Sequence, residues 1–133
     1  MLTYCFKKVK HMYTRDYQDI VYFLENLSAT SFIIAEKAYP IEKLHIQSLV
    51  REIDGKSITF LALRNIQIAK AERRKGIISF IVKKMKDSGL NIIFDDIVNE
   101  HLFDFLMREG FSSLFYEKMG YNIRAAYLIQ ETE

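Results

Sequence analysis

The chain has 133 residues, half of them apolar and many aromatic, which is one domain (1–133) with enough apolar surface for a real core. A net charge of +2 excludes a nucleic-acid binder recognised by overall basicity, and a single cysteine, Cys5, excludes an internal disulfide or a cysteine-rich zinc site. No apolar run is long enough to span a bilayer, and Lys7, Lys8 and Lys10 precede no signal-like core, so the expectation is a soluble cytoplasmic domain with no membrane partner.

Residues 2–12 read as a first strand. Thr14 then suits a helix N-cap, Asp16 suits the positive end of a helix, and Tyr17, Ile20, Val21, Leu24 and Leu27 recur at helical spacing over about 15–27. "SFIIAEKAY" (31–39) is β-branched and aromatic and is closed by Pro40, so a second strand is expected there. "HIQSLVREI" and "KSITFLALRNIQIA" follow as two strands joined by Asp54-Gly55, a strong hairpin signal. Ile78, Ile81, Val82 and Met85 form the stripe of a second helix, with Lys83, Lys84, Lys86 and Asp87 on its solvated side and Gly89 at its end. "NIIFDDIV" (91–98) reads as a short strand. Residues 100–109 read as a helix with Leu102, Phe103, Leu106 and Met107 inward, ended by Gly110. "FSSLFYEK" and "NIRAAYLIQ" read as a closing hairpin around Met119-Gly120. The order is β-α-β-β-β-α-β-α-β-β.

Four of the five glycines end elements, but Gly76 opens one, inside "ERRKGIIS" (72–79). A helix start offers unpaired N–H groups and a partial positive charge, and a glycine there admits a ligand to the backbone. Arg73, Arg74 and Lys75 would add charge to such an anion site. The same residues also suit a plain solvated turn, and the eight residues alone do not choose between the two.

Taken together, "IQIAKAERRKGIISFIVKKM" and "IVNEHLFDFLMREGF" resemble the GNAT superfamily of acyl-CoA-dependent N-acyltransferases. In that family a strand leads into an Arg/Gln-x-x-Gly-x-Gly/Ala loop and a helix; later an Asn closes a strand, and a helix ends in Gly-Phe. Arg73, Gly76, Asn99, Gly110 and Phe111 match these positions, and Ile78 stands where the second glycine is usual. The resemblance covers about residues 45–111. It implies an α+β fold with a mixed, mostly antiparallel sheet of about seven strands and three main helices. It implies acetyl-CoA as acyl donor, with the amides of Arg74, Gly76, Ile78 and Ser79 around the pyrophosphate and Arg73, Arg74 and Lys75 supplying charge. The pantetheine arm would pair with the backbone of Ile68, the amide of Ile66 would face the thioester carbonyl, and Asn99 would face the arm.

The catalytic groups are less legible. The family's usual tyrosine acid falls at Leu106 and its usual strand glutamate at Ala62. Tyr116, within "FYEKMGY", is a candidate acid, and Asp96 a candidate base, with Asp95 expected to point to the opposite face of its strand. His45 and His101 are further candidates for proton transfer but have no metal-ligand spacing, so no metal is expected. The expected reaction is direct acyl transfer, most simply of acetyl, to a primary amine on a protein or small molecule. The alternatives are an inactive coenzyme A-binding or protein-interaction module on the same fold, and a small nucleic-acid-associated adaptor. Nucleic acid is not the favoured partner; a homodimer is allowed.

Overall fold

The computed structural model describes residues 11–131, which form seven strands and three helices in the order the sequence suggests. They are β1 (His11–Thr14), α1 (Tyr17–Leu24), β2 (Phe32–Ala38), β3 (Ile41–Ile53), β4 (Lys56–Ile68), α2 (Ile77–Asp87), β5 (Ile92–Phe94), α3 (Glu100–Arg108), β6 (Ser112–Lys118) and β7 (Tyr121–Leu128). They make one sheet in the order β1-β2-β3-β4-β5-β7-β6. Pairing is antiparallel except for β1 with β2 and β4 with β5. This is the expected mixed α+β architecture. Most of the expected first strand, and Cys5 with it, lies outside the described residues.

Local chemistry sets the boundaries. Asp16, not Thr14, is the N-cap of α1: its carboxylate accepts from the Gln18 N–H at 2.8 Å. Thr14 instead accepts from the Asp16 N–H and donates to Asp19, bracing the cap from outside. At Asp54-Gly55 both residues have positive φ (51° and 81°), as a two-residue type I′ turn requires, and Ile53 pairs directly with Lys56. The strand expected over 91–98 is only Ile92–Phe94. Asp96 has φ 54°, so the chain leaves extended geometry there and simple alternation past Phe94 fails.

Alternation along β4 divides the core into two faces. Leu61 and Leu63 join the main cluster, to which α1 gives Ile20, Phe23 and Leu24, α2 gives Ile81, Val82 and Met85, and α3 gives Leu106. Phe60 and Ala62 point the other way, into a smaller cluster with Ile53, Ile93 and Ala125 that contains no helix residue. Among the described residues the sheet is therefore covered by helices on one face and left to its own strands on the other. The lysine run on α2 is not a free basic stripe. Lys83 pairs with Asp87, Lys84 with Glu25 at the end of α1, and Lys86 with Glu109 at the end of α3.

Met85 is fully buried between helix and sheet, whereas Val98 is 87 % exposed. Met85→Ala is expected to cost about 2–5 kcal/mol in a urea unfolding experiment, and Val98→Ala no more than about 0.5 kcal/mol. Equal costs would contradict the assignment of the helix-covered face as the core.

Candidate functional site

The parallel strands β4 and β5 run together for three residue pairs, ending at Leu63 with Phe94, and then separate. The last backbone bond between them runs from the Asp95 N–H to the Leu63 carbonyl at 3.0 Å. Two causes act at this point. On the β4 side, Ile46 pairs with Leu63 but His45 pairs with Asn65, so Arg64 is an extra residue and β4 carries a bulge. A bulge bends its strand and sharpens its twist. On the β5 side the chain turns toward β7, where the Ile97 N–H donates to the Arg124 carbonyl at 2.7 Å.

The bulge also resets which backbone groups face the gap. The Leu61 N–H and the Leu63 carbonyl point toward β5. Strand β3 keeps its phase from Ile46 to Leu44, whose partner is Ile66. Alternation then turns the peptide groups of Ile66, and after it Ile68, away from β3 and into the gap. The Ile68 carbonyl is already engaged, accepting from Arg73 Nε at 3.1 Å.

A cleft of three adjoining cavities starts at this gap. Its inner part is lined by Leu63 to Gln67 and by Phe94 to Asn99. It widens into a cavity of about 650 Å³ between Ile66, Ile68, Arg73, Arg74, Ile78, Val98 and Asn99. It ends in a further cavity of about 320 Å³ at the start of α2, lined by Glu72, Arg73, Arg74, Gly76, Ile77, Ile78 and Ser79. Here Gly76 is the N-cap, in left-handed conformation (φ 86°), with no side-chain cap and no acidic residue in the first turn. The first intrahelical bond runs from the Phe80 N–H to the Gly76 carbonyl, so the N–H groups of Gly76, Ile77, Ile78 and Ser79 have no acceptor within the helix. By contrast, Asp16 caps α1 and Asn99 caps α3.

The residues singled out in the sequence divide accordingly. Ile66, Ile68, Arg73, Arg74, Gly76, Ile78, Ser79, Asp96 and Asn99 all line the cleft. Lys75 does not line it; its ammonium pairs with Glu72 at 3.5 Å. Glu72 puts one carboxylate beside the three basic residues. The Tyr39 hydroxyl donates to it and, with help from Lys75, holds its pKa below the usual carboxylate value. Asn99 Oδ1 caps α3 by accepting from the Leu102 N–H at 3.1 Å, which leaves its amide nitrogen for the cleft. Ile78 is half buried against the core and stands where the two cavities meet. Leu106 and Ala62 are fully buried in the two clusters, so neither position offers a proton-transfer group to the cleft.

Tyr116 belongs to a different constellation, on the helix-free face. Its hydroxyl donates to Asp95 Oδ1 at 2.6 Å, and Arg51 Nη2 donates to Asp95 Oδ2 at 2.9 Å. Arg64 Nε lies 3.8 Å from the same oxygen, and the Asp95 side chain is completely buried. Burial, and then the bond to Asp95, push the Tyr116 pKa above its ordinary value of 10.0. Tyr116 does not line the cleft. Sequence reasoning weighed Asp95 but missed Arg51 and Arg64. Arg51 had a usable signal, being a charged residue between Leu49 and Ile53 on the apolar face of β3. Arg64 had none, because the bulge that places it is a tertiary feature.

No protein-family model and no curated protein matches the chain. Among solved structures it is similar to a mutant of the toxin AtaT bound to the C-terminus of the antitoxin AtaR and acetyl-CoA. That match has 16% identity and a TM-score of 0.48, over 65% of this chain and 56% of that one. It is also similar to Arabidopsis thaliana Naa50 in complex with the bisubstrate analogue CoA-Ac-MVNAL (13% identity, TM-score 0.45, 65% and 66%). A third is Arabidopsis thaliana NAA60 in complex with a bisubstrate analogue (11%, 0.43, 64% and 61%). The chain thus spans between 56% and 66% of the length of these proteins.

Removing the buried carboxylate while leaving Arg51 in place, as in Asp95→Ala, is expected to cost about 3–5 kcal/mol. Denaturant unfolding measures it, and a cost below about 1 kcal/mol would refute the constellation. The Tyr116 shift has a sign of its own. A raised folded pKa favours the protonated phenol, so its stabilisation is complete below the unfolded pKa and is lost as pH rises through the folded one, above 10. Unfolding series from pH 8 to 11 should show a steeper alkaline loss in the wild type than in Tyr116→Phe.

Proposed function

We propose that the protein is a GNAT-type, acyl-CoA-dependent N-acyltransferase that uses acetyl-CoA and a primary amine. The observation that carries this reading is the row of cavities along the cleft, each sharing lining residues with the next. Three adjoining cavities that share lining residues run from the bulge-splayed strands to an uncapped helix start flanked by Arg73 and Arg74. A long ligand with a polyanionic end and an amide-bearing arm suits this shape.

The residues present fit such a ligand. A Cβ built on Gly76 meets nothing within 4 Å, so the space beside the free N–H groups is open. Those N–H groups, the helix dipole and the two guanidiniums are the binding chemistry for a pyrophosphate. Arg73 holds the Ile68 carbonyl, which leaves the Ile68 N–H and the Ile66 peptide to bond an amide-bearing arm as an added strand would. Ile78 narrows the junction between pyrophosphate and arm, where a glycine would leave more room.

The donor supplies an activated acyl carbonyl; the chain's residues handle position and charge. The Ile66 N–H is the donor for the oxyanion that develops on that carbonyl. With Leu106 and Ala62 in the core, the proton-accepting role falls to Asp96, the carboxylate of the inner cleft that has no ion pair or hydrogen bond among the described residues. It takes the amine proton directly or through one water. The amine nitrogen bonds to the acyl carbon as the carbon–sulfur bond breaks, and the proton taken by Asp96 passes, directly or through water, to the departing thiolate. Tyr116 holds Asp95 in place and does not touch the reacting atoms. The apolar acid and base positions favour a second reading, a coenzyme A-binding module without turnover.

Acetyl-CoA at about a hundred times its dissociation constant should raise unfolding stability by about 2.7 kcal/mol. Dephospho-CoA should do less if Arg73 or Arg74 meets the 3′-phosphate. Gly76→Glu, which puts a carboxylate among the free N–H groups, should abolish the shift. No shift with either ligand would refute both readings; a shift without acetyl transfer to any amine would select the second.

A further inference from the structure

Among the described residues the inner cleft holds one charged group without a partner, Asp96, and one only partly engaged, Arg64. Asp95 is satisfied by Arg51 at 2.9 Å and by the Tyr116 hydroxyl at 2.6 Å, both shorter than its 3.8 Å approach to Arg64. Arg64 makes no hydrogen bond among the described residues, and that ion pair through Nε leaves both terminal nitrogens of its guanidinium unused. Its side chain is 36 % exposed and lines the cleft where β4 leaves β5. Asp96 lines the same cleft and is paired neither with Arg64 nor with anything else among the described residues. The bulge explains how this arises. As the extra residue on β4, Arg64 is re-aimed out of the ladder's alternation and toward the gap.

A cation with two unused nitrogens and an unpaired anion, lining one cavity and not joined to each other, complement a molecule carrying both charges. From this we infer that the acceptor is a small zwitterionic amine, of the amino-acid class, whose carboxylate is held by Arg64 while its amino group is presented to Asp96. A planar guanidinium with two unused terminal nitrogens matches a carboxylate bidentately, and a lysine at that position would not. The inner cavity, about 140 Å³, lies below the range of about 300–1,000 Å³ usual for drug-sized ligands, so it has room only for a smaller molecule. The inference rests on the transferase reading. It adds the chemical class of the acceptor, and Arg64 as the residue that selects it.

The test follows release of free thiol from acetyl-CoA with the common L-amino acids and, in parallel, their C-terminal amides. The amides keep the amine and lose the carboxylate, as do the N-termini and lysines of peptides. At least one free amino acid should be preferred over its amide by about 10- to 100-fold in kcat/KM, with the difference mainly in KM. Arg64→Gln should collapse that preference to within about threefold, and Arg64→Lys should recover part of it. Thermal melts of both variants check that they fold. If wild-type protein binds acetyl-CoA but uses the amides as well as the acids, or uses neither series, the zwitterion inference is overturned and the coenzyme site stands. If acetyl-CoA does not bind, the transferase reading falls, and this inference with it.

Discussion

A single extra residue on β4 governs the arrangement of everything around it. From Leu61 to Leu63, just before Arg64, β4 pairs with β3 on one side and β5 on the other. Downstream it keeps β3 but loses β5, because the bulge redirects β4 while the chain after Phe94 follows β7. Backbone groups that a sheet would ordinarily pair are left facing a gap. The cleft, the orientation of Ile66 and the position of Arg64 all derive from that local mismatch in count.

The two faces of the sheet then divide the work. The helix-covered face carries most of the buried apolar residues and fixes α2, whose start forms the far end of the cleft. The helix-free face is held by a smaller cluster and by the buried Asp95 with its arginine and tyrosine partners. Asp95 sits at the point of separation, so the ion pair on one side and the last β4–β5 backbone bond on the other secure the same residue. The gap opens next to a fixed point, and its edge is well defined.

Much of this was legible in the sequence, for identifiable reasons. Period 3.6 in α2 and α3, the Asp54-Gly55 turn and glycines at element ends are local signals, and the elements appear where those signals lie. Gly76 could be marked because it opened an element when the other four glycines closed theirs. Tertiary effects were not legible. The strand expected over 91–98 stops at Phe94 because Asp96 takes positive φ, so alternation separated Asp95 from Asp96 for the wrong reason. The actual difference is that one is buried under two arginines and the other is exposed. Lys75 looked equivalent to Arg73 and Arg74 in a row of three, but Glu72, three residues before it, claims its charge.

The lysines of α2 have a mechanical side. Lys84 reaches the last turn of α1 through Glu25, and Lys86 reaches the end of α3 through both the carboxylate and the carbonyl of Glu109. Both ties grip the C-terminal half of α2, while its first turn has neither cap nor tether. The helix is tied by ion pairs to two neighbours at one end, and at the other it is held by the packing of Ile77 and Ile78 against the core. The C-terminal half of the helix is thus held partly by charge, which salt screens, and its first turn by apolar packing, which salt does not screen.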